Sequence, residues 1–371
     1  MRHSDRPTHA VPMVVLVLAS VLGLASTATA QRYQQTNLVS DTAGLAAHTD
    51  GNLKNAWGIA FNPNAFVWVA DNKTGVATLY DGDGNPQLLV VTIPPAPGQT
   101  TGSPTGIVFN GSSGFVITDS TGSGSSHFIF ATEDGTRAAW KSGNSAIQMA
   151  VSKSGAVYKG LALATNGTDT FLYATDFHNA RIDVFDKKFQ PVTLSGAFAD
   201  PNLPAGYAPF GIQSLNGNLY VTYAKQDADR MDDVPGDGRG FVDVFDANGH
   251  LIRRVASRGR LNAPWGLAIA PADFGRFSNR LLVGNFGDGS INAYDVATGR
   301  FLGQFRKPDG KRLTIDGLWG LSFGNGLLDQ PSSALFFTAG PNDENDGLYG
   351  KLEPASGKED DHEGKDDDEQ N

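Results

Sequence analysis

Three aspartates and an asparagine recur at one place in a repeated phrase: Asp71 closes "FVWVAD", Asp119 "GFVITD", Asp176 "FLYATD" and Asn285 "RLLVGN". Oxygen donors of this kind suit a hard divalent cation such as calcium, which could polarise the carbonyl of a lactone or ester. A terminal Asp beside a Gly- or Asn-containing loop also caps its own turn, so each residue has a second, purely local reading. The stretch 224–240, "AKQDADRMDDVPGDGRG", crowds Asp227, Asp229, Asp232, Asp233 and Asp237 together with Arg230 and Arg239. Such carboxylates repel unless a cation or the arginines offset them. Either a calcium-ordered loop or a metal-free acidic loop follows.

A second set is aromatic. Trp57, Phe210, Trp265 and Trp319 each stand directly before a glycine in an apolar phrase, with Tyr223 and His178 at or just beyond second-strand ends. Flat rings beside carboxylates suit a sugar or another amphipathic small molecule. The plainer reading makes the rings wedges between adjacent repeats, with glycine following so that backbones can approach. His178 beside Asp176 or Asp119 would form an acid/base pair, but it also reads as an ordinary loop residue. The tract "DGDGN" at 81–85 lacks the glutamate of a calcium-binding loop and is expected to be a hairpin turn.

The elements that position these residues are strands. Glycines 58, 106, 160, 211, 266 and 320 lie 48, 54, 51, 55 and 54 residues apart, in "KNAWGIAFNP", "GSPTGIVFNG", "AVYKGLALAT", "YAPFGIQSLN", "NAPWGLAIAP" and "DGLWGLSFGN". A period near fifty with several strands per period predicts an all-β, six-bladed β-propeller of four-stranded antiparallel blades. After each anchor strand comes a second ("FVWVAD", "GFVITD", "FLYATD", "NLYVTY", "RLLVGN", "ALFFTA"). A third follows ("VATLYD", "SHFIFA", "RIDVFD", "FVDVFD", "INAYD", "GLYGKL"), then a more polar fourth. The sixth repeat lacks a fourth strand and "YQQTNLVSD" is left over near the N-terminus, so that strand is expected to close the ring. Starts of first strands and ends of second strands then meet at one mouth of the central channel.

"WGIAF", "VWVAD", "RIDVFD" and "FVDVFD" resemble the repeats of NHL-type six-bladed propellers, over residues 33–354. "YAKQDADRMDDVPGDGRGFVDVFDANG" and "NAPWGLAIAPADFGRFSNRLLVGNFGDGSINAYD" look like an uncharacterised family of exported bacterial propellers, some of whose members end in a sorting anchor; this chain ends in an acidic tail instead. The resemblance implies the fold and leaves the activity open. Six-bladed lactonases of the gluconolactonase type hold a metal at the channel mouth, and the aspartate set is similar to that arrangement.

Residues 1–30 have a secretory signal layout, with Arg2 and Arg6 before "VPMVVLVLASVLGL" and Ala28-x-Ala30 at the end. The expected organisation is a signal peptide (1–30), the propeller (31–354) and an acidic disordered tail (355–371). The protein is expected to be exported, periplasmic or extracellular, with no transmembrane span after signal removal. With no cysteine there is no disulfide or thiolate site. The formal net charge of −10 argues against nucleic acid as a partner. No nucleophile elbow, H-E-x-x-H motif or phosphate loop is written, so neither a nucleotide cofactor nor haem is expected. Three functions remain: a scaffold binding a small molecule, glycan or protein at the channel mouth with structural calcium, a divalent-metal hydrolase, lactonase or lyase there, or a purely structural envelope protein with a dry, apolar mouth.

Overall fold

Second strands such as Val67–Asp71 and Leu335–Ala339 are buried along their whole length, because a propeller strand lies between its neighbours in the blade and the faces of two adjoining blades. The computed structural model describes Met1 and residues 32–355. The expected signal peptide and acidic tail therefore fall outside the described residues, apart from Met1 and Ala355.

The described chain is an all-β, six-bladed propeller. Blade one comprises Ala56–Phe61, Val67–Asp71, Val76–Tyr80 and the short Val91–Thr92. Blades four and five repeat this plan in Tyr207–Leu215 to Leu251–Ser257 and Pro264–Ile269 to Phe301–Gln304. Blade six is closed as expected, with Tyr33–Ser40 pairing antiparallel with Leu348–Pro354 and the short His48–Thr49 adding parallel at the rim.

Blades two and three depart from the repeat. "GFVITD" is not the second strand of blade two: Val116–Asp119 pairs with Gly122–Ser125 in a separate hairpin. The true second strand is Phe128–Thr132, which pairs with Pro104–Phe109, so "SHFIFA" is second and Thr136–Trp140 third. Blade three has three strands, Tyr158–Thr165, Thr170–Asp176 and Arg181–Phe185, and its fourth is reduced to a bridge between Phe185 and Pro191. Proline offers no N–H to a ladder, which suits Pro191 to a single bridge.

Among the described residues an apolar cluster fills each of the six blade-to-blade contacts, for example Trp68 with Phe128 between blades one and two and Val221 with Tyr173 between blades three and four. Each large side chain so buried stabilises the ring by about 1.5–3 kcal/mol. The anchor glycines allow this packing. A methyl group at Gly58 would overlap the Thr105 carbonyl oxygen of the next blade, and one at Gly211 the Trp265 carbonyl oxygen. Threonines tie the same seams: Thr175 Oγ1 donates to the Phe210 carbonyl at 2.7 Å and Thr338 Oγ1 to that of Trp57.

Candidate functional site: a charged cluster over an aromatic plug

The residues ahead of the anchor glycines are Trp57, Thr105, Lys159, Phe210, Trp265 and Trp319. The aromatic ones meet near the ring axis and join blades that are not neighbours as well as blades that are. Phe210 of blade four lies 5.8 Å from Trp319 of blade six, and Trp265 of blade five donates its indole N–H to the Lys159 carbonyl of blade three at 2.9 Å. Trp57 and Trp319 stack with centroids 3.7 Å apart, and Phe286 stacks on Trp319 at 3.9 Å. The same local bend delivers three of these rings. Asn55, Ala263 and Gly317, each two residues before a tryptophan, have φ of 47°, 43° and 62°, a left-handed turn that costs a non-glycine residue about 1 kcal/mol.

Trp57 and Trp319 are 1% exposed and Phe210 is fully buried. The expected aromatic arc is thus a packed plug with only Trp265 half-buried at its surface. Tyr223 does not belong to it, because it packs outward with Tyr207 and Phe241 in the core between blades three and four. His178 is half-buried beside the plug, in the turn after the second strand of blade three. There the blade-four loop begins, with Gln226 Nε2 donating to the Phe177 carbonyl at 2.6 Å.

Lys159 stands on the plug. It is 2% exposed, its Nζ lies 5.2 Å from the Trp57 ring centroid, and it pairs with Glu133 Oε1 at 2.5 Å and Asp232 Oδ1 at 2.8 Å. Burial pulls its pKa down, but the two carboxylates together outweigh burial and hold the ammonium charged. From Glu133 a chain of hydrogen bonds crosses the mouth: Asn72 Nδ2 donates to Glu133 Oε2 at 2.9 Å, Asn55 Nδ2 to Asn72 Oδ1 at 3.3 Å and to Glu344 Oε2 at 2.6 Å. Trp319 Nε1 donates to Asn55 Oδ1 at 3.0 Å and returns the chain to the plug.

Two more carboxylates face this cluster without an ammonium of their own. Burial, against the attraction of Lys159, raises Asp233 to about 7. Burial and the neighbouring Glu133 also raise Glu344. Glu344 is aimed by a strained turn: Asn342, Asp343 and Glu344 have φ of 59°, 51° and 62°, and consecutive left-handed residues other than glycine persist only where the surroundings impose them. Among the described residues Trp57 Nε1, His178 Nδ1 and Asp233 Oδ2 are buried without a hydrogen-bond partner, each at a cost of about 1–3 kcal/mol.

The residues proposed for a channel-mouth metal are not brought together. Asp119 ends the first strand of the extra hairpin, where Ser142, Thr121 and Lys141 hold its carboxyl below the usual range. Asp71 is buried and accepts from Thr78 Oγ1 at 2.8 Å, and burial raises its pKa well above the usual carboxylate value. Asp176 accepts from Asn179 Nδ2 at 2.7 Å, and Asn285 donates to the Arg260 carbonyl at 2.8 Å and to Asp288 at 3.1 Å. Each is taken up by its own turn, the adjoining strand or the loop packed on it. In the blade-four loop Asp232 turns to Lys159, Asp227 Oδ1 accepts from the Met231 N–H at 2.9 Å, and Asp229 and Asp237 are exposed. Among the described residues no three His, Asp or Glu side chains are grouped so as to hold a metal ion, and the donor sets named for calcium do not fit one.

Sequence reading missed Lys159, Glu133 and Glu344. Lys159 was visible in register, since it occupies the tryptophan position of the third repeat. Glu133 directly follows the second strand of blade two and was hidden when the hairpin took that strand's place. Nothing in "GPNDEND" announces the left-handed turn that swings Glu344 inward.

No protein-family model matches the chain. It is 35% identical to the uncharacterized protein R648 of Acanthamoeba polyphaga mimivirus, over 85% of this chain and 78% of that protein. It is also 34% identical to protein L690 of the same virus, over 85% and 84%. In structure it is similar to virginiamycin B lyase from Staphylococcus aureus, with a TM-score of 0.50 and 13% identity over 88% of this chain and all of that one. A glucose dehydrogenase gives 0.50 and 13% over 87% of this chain and all of that one. These two likenesses show the six-bladed fold alone.

Proposed function

The chain belongs to the family of the mimivirus proteins R648 and L690, which are uncharacterized, and from its own geometry we propose that it is a binding propeller whose plugged mouth takes a small amine-bearing molecule. The observation that carries this reading is the charge imbalance over the plug. Glu133, Asp232, Asp233 and Glu344 gather around one ammonium, and burial raises two of these carboxylates. A ligand cation would relieve that repulsion, and the tryptophan floor would receive its apolar face. Asp232 is 72% exposed and comes from the long blade-four loop, so its ion pair with Lys159 is the latch that ligand entry would open. Among the described residues no three His, Asp or Glu side chains converge as metal donors, which favours binding over a metal-dependent hydrolase or lyase.

Calorimetric titration of the full chain with glucosamine and putrescine tests this, with glucose as the neutral control. One equivalent of an amine should bind, and Glu344→Gln and Asp232→Asn should weaken it at least tenfold. Equal binding of glucose, or no amine binding, would overturn the reading. Export is part of the proposal and rests on the N-terminal apolar run. Protein recovered outside the cytoplasm should have lost about thirty residues, as a signal peptide of ordinary length would give.

A further inference from the structure

The missing fourth strand of blade three leaves a second feature, on the rim and away from the mouth. After the Phe185–Pro191 bridge the chain crosses to blade four, where Gly196 N donates to the Asn248 carbonyl at 2.8 Å and Phe198 N to that of Gly249 at 3.0 Å. Among the described residues the outer side of Arg181–Asp183 pairs with no strand, and a groove of about 1020 Å³ opens between it, the fourth strand of blade two and the crossing segment. That volume is on the scale of a small-molecule site.

The groove is lined by Arg137, Tyr158, Phe185, Lys153 and Arg181. Arg137 is 5% exposed, lies 3.9 Å from the centroid of the Phe185 ring and donates from Nη1 to Tyr158 Oη at 3.1 Å. Tyr158 in turn donates to Asp183 Oδ2 at 2.9 Å, and Asp183 is paired with Arg181 at 2.7 Å. The one carboxylate of the groove is therefore already engaged. Among the described residues Arg137 Nε is buried with no hydrogen-bond partner, and neither Arg137 nor Lys153 has an ion pair. A guanidinium so buried normally has an anion, and its planar fork matches the two oxygens of a carboxylate or phosphate.

We propose that this groove binds an oxyanion, held by Arg137 from the floor and Lys153 from the rim. The excess positive charge is local, in a chain whose formal net charge is −10, and it is opposite in sign to the mouth cluster. The two sites therefore select ligands of opposite charge.

The test is calorimetric titration of the full chain with citrate and, separately, with inorganic phosphate, which distinguishes the carboxylate from the phosphate form of the ligand. Saturable binding of one equivalent is expected for at least one anion, weakened at least tenfold by Arg137→Lys, which keeps the charge and loses the fork, and by Lys153→Ala, at an exposed position. Asp232→Asn should leave it unchanged, which separates this site from the mouth. Should Arg137→Lys fail to fold, Lys153→Ala decides. Neither anion binding, or unchanged affinity in the folded variants, would overturn the proposal.

Discussion

Blades four, five, six and one form an arc of near-identical units, whereas blades two and three depart from the pattern in strand order, strand number and charge. In the arc the residue before the anchor glycine is always aromatic, and the side chains meet as a closed plug. In the other sector the same position holds Thr105 and Lys159, a hairpin is inserted, a fourth strand is missing, and two cations, Lys159 and Arg137, are buried. Repetition makes the scaffold, and the sector that breaks it carries both buried cations.

The contrast predicts the largest loss where the arc is tightest. Gly211→Val should destabilise the ring by about 3 kcal/mol or more, since overpacking costs about 1–3 kcal/mol even against movable side chains and the obstacle here is the Trp265 carbonyl. Gly51→Ala, with open space around it, should stay within about 0.5 kcal/mol. Chemical denaturation of both reads the difference, and a mild Gly211→Val would undo the account of blade packing.

Lys159→Met comes next. Removing one partner of a buried pair costs about 3–5 kcal/mol, reduced here to about 2 kcal/mol because exposed Asp232 can resolvate. Limited proteolysis should then cut the 226–239 loop faster. An uncut loop would show that the ion pair is no latch.

Asp233 supplies a pH test. Burial raises it to about 7, so the folded chain binds this proton more tightly than the unfolded one. Its contribution is complete below about pH 4, the unfolded carboxylate range, and is lost as the pH rises through about 7. Asp233→Asn should therefore melt above the wild type at pH 8, by about 1 kcal/mol, with the gap closing toward pH 4. A gap that widened on acidification would reverse the sign and refute the assignment.

The smallest effect is expected at Asp119. Its hydrogen bonds lie within the exposed hairpin and with Ser142, just after the Thr136–Trp140 strand, so Asp119→Asn should leave the melting temperature nearly unchanged.

The fold was legible because six glycines must meet six neighbouring backbones, which writes one period into the chain. Ring closure was legible from the leftover strand near the N-terminus and the fourth strand missing from the sixth repeat. The hairpin of blade two misled because "GFVITD" alternates like a second strand, with Phe115 and Ile117 buried and Val116 exposed. Its partner, Gly122–Ser125, has no apolar residue to mark it. The site was less legible because its chemistry lies in exceptions: a lysine in a tryptophan slot, a glutamate just past a misassigned strand, and a carboxylate placed by three left-handed residues. Aspartates that recur in register drew the eye, and recurrence marked them as turn residues instead.

The most direct test of the mouth site is tryptophan emission during titration of the full chain with glucosamine. The Trp57 ring lies 5.2 Å from Lys159 Nζ and stacks on Trp319, so emission should change saturably with the binding isotherm, and Trp57→Phe should remove most of the change. Binding that leaves the emission of the wild type unmoved would place the ligand elsewhere and contradict a site at the plugged mouth.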